Sequence, residues 1–459
     1  MGILVKPTVG RPALRRPLGV WMNGLRVGTW TVMGGGGHAF AYDPDWLAHP
    51  AARPLSLSLP LAQGEAPFRG EVVEAYFDNL LPDSADIRRR IAQHYGVGDK
   101  AFDLLAHIGR DCVGAVQLLP PDADPPDVRR IEARPLTEAG VVAQIDRAVR
   151  NQPLGMADAE DELRISLAGA QEKTALLWHQ GQWCAPSGAT PTTHILKLPL
   201  GKVGGVRADF STSVENEWLF ARVLAAYELR VAPCEIGHFG PHKVLVVTRF
   251  DRSAQPDGWL ARIPQEDFCQ VNGLPSSAKY QEHGGPGIDR ILDTLRGSQQ
   301  AEQDRRDFLA AQLVFWLLAA PDGHAKNFSL FIKPGGRFRL TPFYDVMSAW
   351  PAIGPGPNQF DRKKLKLAMA VKGKSAHYRL DDIQRRHWNA TAKRNALGAD
   401  FEAGIERVLR ATPGVLDSLA RELPPDFPAQ VSEPIFRGIQ AQADRLARMA
   451  PGLASLGAD

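Results

Sequence analysis

Asp322 and Asn327 stand five residues apart in Asp322-Gly323-His324-Ala325-Lys326-Asn327, and Tyr344-Asp345 follows two strand-like runs joined at Gly335-Gly336. These residue types in this order suit phosphoryl transfer from a nucleotide. That reaction needs one carboxylate beside the acceptor hydroxyl, and an amide oxygen and a second carboxylate to hold Mg²⁺ against the phosphates. Asp322 fits the first role, as general base or hydroxyl-orienting group. Asn327 and Asp345 fit the second, because Mg²⁺ is a hard cation that takes few protein oxygens alongside phosphate and water. Each has a plainer reading on its own: an Asp before Gly marks a turn, and loop Asn and Asp often cap backbone. The spacing and the hairpin that follows favour the chemical reading. His324 either touches a phosphate or braces the loop.

A catalytic carboxylate loop needs a cation on the opposite side of the nucleotide. Lys197 lies in the otherwise apolar run Ile195-Leu196-Lys197-Leu198. A buried, unpaired ammonium is costly, so a phosphate and a carboxylate should compensate it. The run predicts a strand, with Lys197 on the α and β phosphates and either Glu215 or Glu217 of the next helix as partner. An edge-strand lysine facing solvent is the plainer alternative. Ser166 to Lys173 (Ser166-Leu167-Ala168-Gly169-Ala170-Gln171-Glu172-Lys173) is expected to cover the phosphates. It has only Gly169 and neither common nucleotide-loop pattern, so read alone it is a small-residue turn. Val244-Leu245-Val246-Val247 predicts a buried strand, and Thr248-Arg249-Phe250 after it the hinge that hydrogen-bonds adenine, with Thr248 and Phe250 as contacts.

These residues need elements to carry them. The chain has 459 residues, 44% hydrophobic and 23% charged, enough for two or three cores. Its longest candidate span, Leu313 to Ala320, is far too short to cross a membrane. The first residues do not have the order of a secretory signal, and Lys6 stands where a myristoylation motif needs Ser or Thr. A cytoplasmic location is expected. The four cysteines are scattered singly, which suggests neither a zinc site nor a disulfide framework. A formal net charge of +3 leaves any nucleic-acid contact to a local patch.

Three blocks are expected. Residues 18–125 hold β hairpins and helices: strands on either side of Asn23-Gly24, a strand over Leu55 to Leu59, helices around Val72 to Leu81 and Ala85 to His94, then the Pro- and Asp-rich stretch 120–126 as a linker. Residues 136–260 form a small lobe, with strands at Leu163 to Ser166, Lys173 to Trp178 and Thr193 to Leu198, then a helix over Ser213 to Leu229. Residues 261–450 are mostly helical, and Arg305 to Ala320 leads into the Asp322 loop. The fold class is α+β: a bilobal protein-kinase-like fold with an added amino-terminal α/β domain and a mostly helical carboxyl-terminal lobe.

Five long motifs lie in one order: Ser166 to Leu176, Pro191 to Pro199, Arg262 to Asp267, Asp322 to Asn327 and Leu340 to Asp345. Together with Phe77 to Asp83 and Ile108 to Asp111, they closely resemble the HipA family of bacterial toxin kinases, from about Trp21 to the carboxyl end. The resemblance implies a Mg-ATP-dependent serine/threonine protein kinase paired with a small helix-turn-helix antitoxin, HipB, that binds operator DNA. It also implies an aminoacyl-tRNA ligase substrate, in such families glutamate–tRNA ligase. Ser166 corresponds to the family's autophosphorylation site. A phosphate there would repel a loop built to hold triphosphate, which makes the modification an off switch. The chain departs from the family pattern at Pro321, where a Thr or similar polar residue is expected.

The stretch Arg362 to Arg394 is rich in Lys and Arg. It is read either as a solvated face or as phosphate contact with DNA in the antitoxin complex, with Lys393 and Arg394 as the contacts. A kinase-shaped co-repressor with weak catalysis stays open as a second function, with Pro321 its only support. A small-molecule phosphotransferase is a third.

Overall fold

The computed structural model describes residues 16–61, 66–149, 167–169, 171–203 and 207–451. Among these residues the chain builds two larger sheets and a helical mass that meet around one cleft.

The first sheet is antiparallel, in the order Phe68–Arg69, His38–Tyr42, Leu25–Val32, Arg16–Met22, Val116–Leu119. Its central hairpin turns at Asn23 and Gly24, whose φ angles of 49° and 82° are those a two-residue hairpin needs. Helices Glu71–Asp78, Ala85–Tyr95 and Ala101–Ile108 cover it. The Ser84 hydroxyl caps the second of these, and Gly96 ends it at φ 63°. Trp30 is fully buried and stacks on Phe77 with ring centroids 3.9 Å apart, which fastens the first helix to the sheet.

Leu55 to Leu59 is not a strand. Leu55 and Leu59 are buried in this core, but the backbone between them turns and the Leu59 amide bonds the Ser56 carbonyl at 3.0 Å. Alternating apolar residues satisfy a tight turn equally well when both leucines face one core. Ser56 and Leu57 then reach Glu266 in the carboxyl-terminal part.

The second sheet runs Cys234–Phe239, His242–Thr248, His194–Lys197, Lys173–His179, Gln182–Pro186, Ala133–Pro135, with antiparallel neighbours throughout. Helix Ser213–Ala226 packs against it and is buried nearly all round, which explains its weak amphipathic pattern. The expected strand Leu163 to Ser166 lies outside the described residues.

The carboxyl-terminal part is built on helix Ala301–Leu317, almost wholly buried from Asp304 onward. Asp304 is fully buried, and its carboxylate takes Arg230 at 2.8 Å, the Ser298 hydroxyl at 2.5 Å and the Leu340 amide at 2.9 Å. Helices Arg385–Arg394, Glu402–Glu422 and Ala429–Arg448 complete the core. This part is mostly helical and also carries two small sheets, one of them built on the expected hairpin around Gly335-Gly336. Gln265–Asp267, Ser329–Ile332 and Phe338–Leu340 form a three-stranded sheet, and Lys366–Lys372 pairs with Ala376–Arg379 inside the basic stretch. No helix among the described residues is long and apolar enough to cross a membrane.

Candidate active site

Lys197 occupies the last position of its strand, directly opposite Lys173 on the neighbouring one. Like charges facing each other across a pair of strands repel, so this arrangement needs anions. Two carboxylates supply part of that need: Lys197 Nζ is 2.5 Å from Glu217 Oε1 and 2.5 Å from Asp345 Oδ1. Burial disfavours the ammonium, but Asp345 and Glu217 outweigh it and hold Lys197 charged, above lysine's usual range. Burial likewise works against the Asp345 carboxylate, and Lys197 with Lys173 holds it well below the usual carboxylate range. The choice left open in the sequence falls on Glu217. Glu215 instead pairs with Lys243 at 2.5 Å.

Helix Ala301–Leu317 ends well before the Asp322 loop. Ala319 takes φ 48°, its amide bonds the Trp316 carbonyl, and the Ala320 amide bonds the Phe315 carbonyl at 2.9 Å. This is a complete left-handed helix stop, so Pro321 breaks no helical hydrogen bond. Asp322 follows, about half exposed, with its Oδ1 taking the Tyr280 hydroxyl. His324 is buried, with Nε2 at 3.6 Å from Asp322 Oδ1 and its ring edge-on to Tyr280 at 5.0 Å. Burial pushes its imidazole pKa down. His324 packs against Asp322 and Tyr280 and also lines the cleft, a place that suits either bracing the loop or meeting a phosphate.

Asn327 closes the loop. Its Nδ2 donates to the Asp345 main-chain carbonyl, while its Oδ1 is buried with no hydrogen-bond partner. An orphaned buried amide oxygen carries a free-energy cost, which a cation would relieve. Asp345 sits at φ 59°, and its carboxylate is 36% exposed toward the cleft. This pair of oxygen donors fits Mg²⁺, which binds through one or two protein oxygens with phosphate and water filling the remaining positions. No group of three or more His, Cys, Asp or Glu side chains able to hold a metal occurs among the described residues.

The expected phosphate-covering loop is described in part. Ala168, Gly169, Gln171 and Lys173 line the cleft; Ala170 and Ser166 lie outside the described residues. Gly169 has φ 106°, a backbone conformation that strains any residue with a Cβ, and a Cβ there would also crowd Lys173 Nζ at 2.7 Å. Lys173 donates to the Ala168 carbonyl, and Gln171 Nε2 donates to the Leu198 carbonyl, which ties the loop to the lysine strand. Glu172 does not join them: its carboxylate takes Arg90 of the amino-terminal helix Ala85–Tyr95, and it is absent from the cleft wall.

The hinge expectation needs a correction at Thr248. Its amide bonds the Pro233 carbonyl at 2.9 Å, and the Arg249 amide bonds the Thr193 carbonyl at 2.9 Å, so neither N–H is free for a base. Thr248 and Phe250 still line the cleft, Phe250 as a ring 5.4 Å from Tyr344. Outside the cleft wall, Lys393 and Arg394 are both exposed, and Arg394 also meets Asp289 at 3.4 Å and the Lys372 carbonyl at 2.8 Å. Sequence reasoning assigned no role to Tyr280, Lys279, Lys326, Asn79 or Asp83. All but Tyr280 line the cleft, and Tyr280 reaches Asp322.

One cleft therefore holds Lys173, Lys197, Asp322, Asn327 and Asp345 together. Comparison with known proteins shows the family. Residues 18–119 match the HipA N-terminal domain, and residues 165–416 match the HipA-like C-terminal domain. The chain belongs to the HipA family. A putative kinase of Sinorhizobium fredii is 35% identical over 412 residues, covering 88% of this chain and 90% of that one. The serine/threonine-protein kinase toxin HipA of Shewanella oneidensis is 28% identical over 346 residues, covering 72% and 73%. The fold matches that of a solved chain from the Shewanella oneidensis complex of HipA, HipB and operator DNA, with TM-score 0.74 over 94% of this chain and 97% of that chain at 24% identity. The fold class expected from sequence, α+β and kinase-like, holds.

Proposed function

We propose that this HipA-family chain is a Mg-ATP-dependent serine/threonine protein kinase, the toxin of a HipA/HipB-type pair. The observation that carries the reading is the convergence of Lys197 and Lys173 from one sheet with Asp322, Asn327 and Asp345 from the loops opposite. Bound Mg-ATP would supply the transferable phosphoryl group and a cation to neutralise its oxygens. Asn327 Oδ1 and the Asp345 carboxylate would hold that cation. Lys197, kept in place by Glu217, would neutralise phosphate oxygens. Tyr280 occupies Asp322 Oδ1, which leaves Oδ2 to take the proton of the acceptor hydroxyl. Ser166 precedes by two residues the cleft-lining Ala168, so a phosphate there would repel the triphosphate and switch the enzyme off.

By family likeness the partner is a HipB-like helix-turn-helix antitoxin on operator DNA, with the exposed Lys393 and Arg394 as the candidates for phosphate contact. The acceptor is proposed to be an aminoacyl-tRNA ligase, glutamate–tRNA ligase by resemblance, and the setting the cytoplasm. Pro321 costs the preceding helix no hydrogen bond, which weakens the reading of the chain as a catalytically weak co-repressor.

The test is incubation of the purified chain with γ-labelled ATP, Mg²⁺ and cell lysate, beside an Asp322→Asn control. The proposal expects label on Ser166 and on an acceptor protein with the native chain only. Absence of label from the native chain, or equal label with the control, would sink it.

A further inference from the structure

The catalytic loop is held from outside the kinase-like lobes. Asp83 follows helix Glu71–Asp78 of the amino-terminal part and reaches the cleft wall. Its carboxylate takes Lys279 Nζ at 2.8 Å through Oδ2 and lies 3.2 Å from Lys326 Nζ through Oδ1. Lys326 directly precedes Asn327, and Lys279 directly precedes Tyr280, whose hydroxyl bonds Asp322. The Lys279 carbonyl also accepts the Ala325 amide at 3.1 Å. One carboxylate thus grips both segments that orient the catalytic aspartate and the cation-binding asparagine. The Asp83 amide bonds the Gly169 carbonyl at 3.0 Å, which ties the phosphate-covering loop to the same point. Asn79, one turn earlier, supports this grip: Lys326 Nζ donates to its Oδ1 at 2.9 Å and its carbonyl at 3.1 Å. Asp267 lies 3.6 Å from the same ammonium.

We propose that Asp83 is a positioning residue for phosphoryl transfer, its carboxylate setting the catalytic loop through Lys326 and Lys279 while its amide holds the phosphate-covering loop over the same cleft. The inference rests on the kinase reading above. The amino-terminal part is then a component of the active site as well as a separate sheet. An isosteric amide at position 83 keeps the main-chain bond to Gly169 but weakens both ammonium contacts, so its effect should fall on the loop that carries Asp322 and Asn327, lowering kcat most and the Mg²⁺-dependent part of ATP affinity with it. Misplacement of a catalytic group by about an ångström can cost on the order of 100-fold in rate.

The experiment compares the full chain with its Asp83→Asn and Lys279→Met variants, the second a milder break should the first fold poorly. Two readouts are taken: steady-state phosphoryl transfer, and amide hydrogen exchange in residues 279–283 and 322–327. For Asp83→Asn the expected result is a kcat lower by roughly 10- to 100-fold with a smaller rise in KM for Mg-ATP through Asn327, together with faster exchange in both segments. Unchanged exchange in both segments overturns the proposal, and so does faster exchange with unaltered kcat. If the native chain itself transfers no phosphate, the kinase reading fails, and Asp83 as the anchor of these loops is judged by exchange alone.

Discussion

At the scale of single residues, the site is a charge-compensation problem solved by position. Lys197 is 5% exposed and Glu217 6%, so removing either leaves a buried charge that water cannot reach. Sequence made this legible, because a lysine amid isoleucine and leucines demands a reason. It could not separate Glu215 from Glu217. Two residues apart on a helix, they point to different sides, and only the packed sheet shows which side faces the lysine. Lys197→Met removes the cation while keeping the bulk, and Glu217 can relieve its loss by taking up a proton. The variant should fold and lose roughly 100- to 1,000-fold in kcat/KM for phosphoryl transfer. Activity within a few-fold of native in a steady-state assay would show that the ammonium does not act on the phosphates.

At the scale of elements, the hairpin between Asn327 and Asp345 was readable, because two apolar runs around Gly335-Gly336 have few other folds. The turn at Leu55 to Leu59 was not, since a buried turn and a half-buried strand can place leucines with the same period. What sets the turn is a tertiary partner. Glu266, fully buried on strand Gln265–Asp267, accepts the Leu57 amide at 2.8 Å and the Ser56 hydroxyl. Burial pushes its carboxyl pKa up to about 8, against the opposing effect of those two bonds. A folded-state value above the unfolded one means the folded chain holds a proton that the unfolded chain releases. The resulting stability is full below about pH 4.5 and is lost as pH rises to about 8, at a limiting slope of about 1.4 kcal/mol per pH unit. Glu266→Gln cannot ionise, so its urea midpoint should gain on the native chain's between pH 5 and 8 and keep a constant offset above that. Parallel curves over the whole range would show that Glu266 folds already ionised.

At the scale of the molecule, the amino-terminal part is fastened to the segment Arg249 to Arg262 by buried charge. Asp111 accepts Arg252 at 2.9 Å, Arg262 at 3.2 Å and the Thr192 hydroxyl at 2.7 Å, while Arg249 is held by Asp251 at 2.8 Å. Burial opposes the Asp111 carboxylate, yet Arg252, Arg249 and Arg262 keep it well below its usual range. The spare guanidinium donors go to main-chain carbonyls, including that of Cys112. Such a cluster fixes geometry more than it adds stability, because each ion must first be desolvated. Sequence showed the resembling motifs around Asp111 and Arg262, but nothing in their spacing says that they meet. The same holds for Asp83 and Lys326, which are far apart in the chain and adjacent in the cleft.

The central claim is that a magnesium nucleotide is gripped between lysines of one sheet and the Asn327 and Asp345 oxygens opposite. Calorimetric titration of ATP into the native chain and Asn327→Ala, with and without Mg²⁺, tests it most directly. Affinity should rise with Mg²⁺ in the native chain, and most of that rise should vanish in the variant. ATP binding indifferent to Mg²⁺, or a Mg²⁺ effect undiminished by the loss of Asn327, would contradict the account.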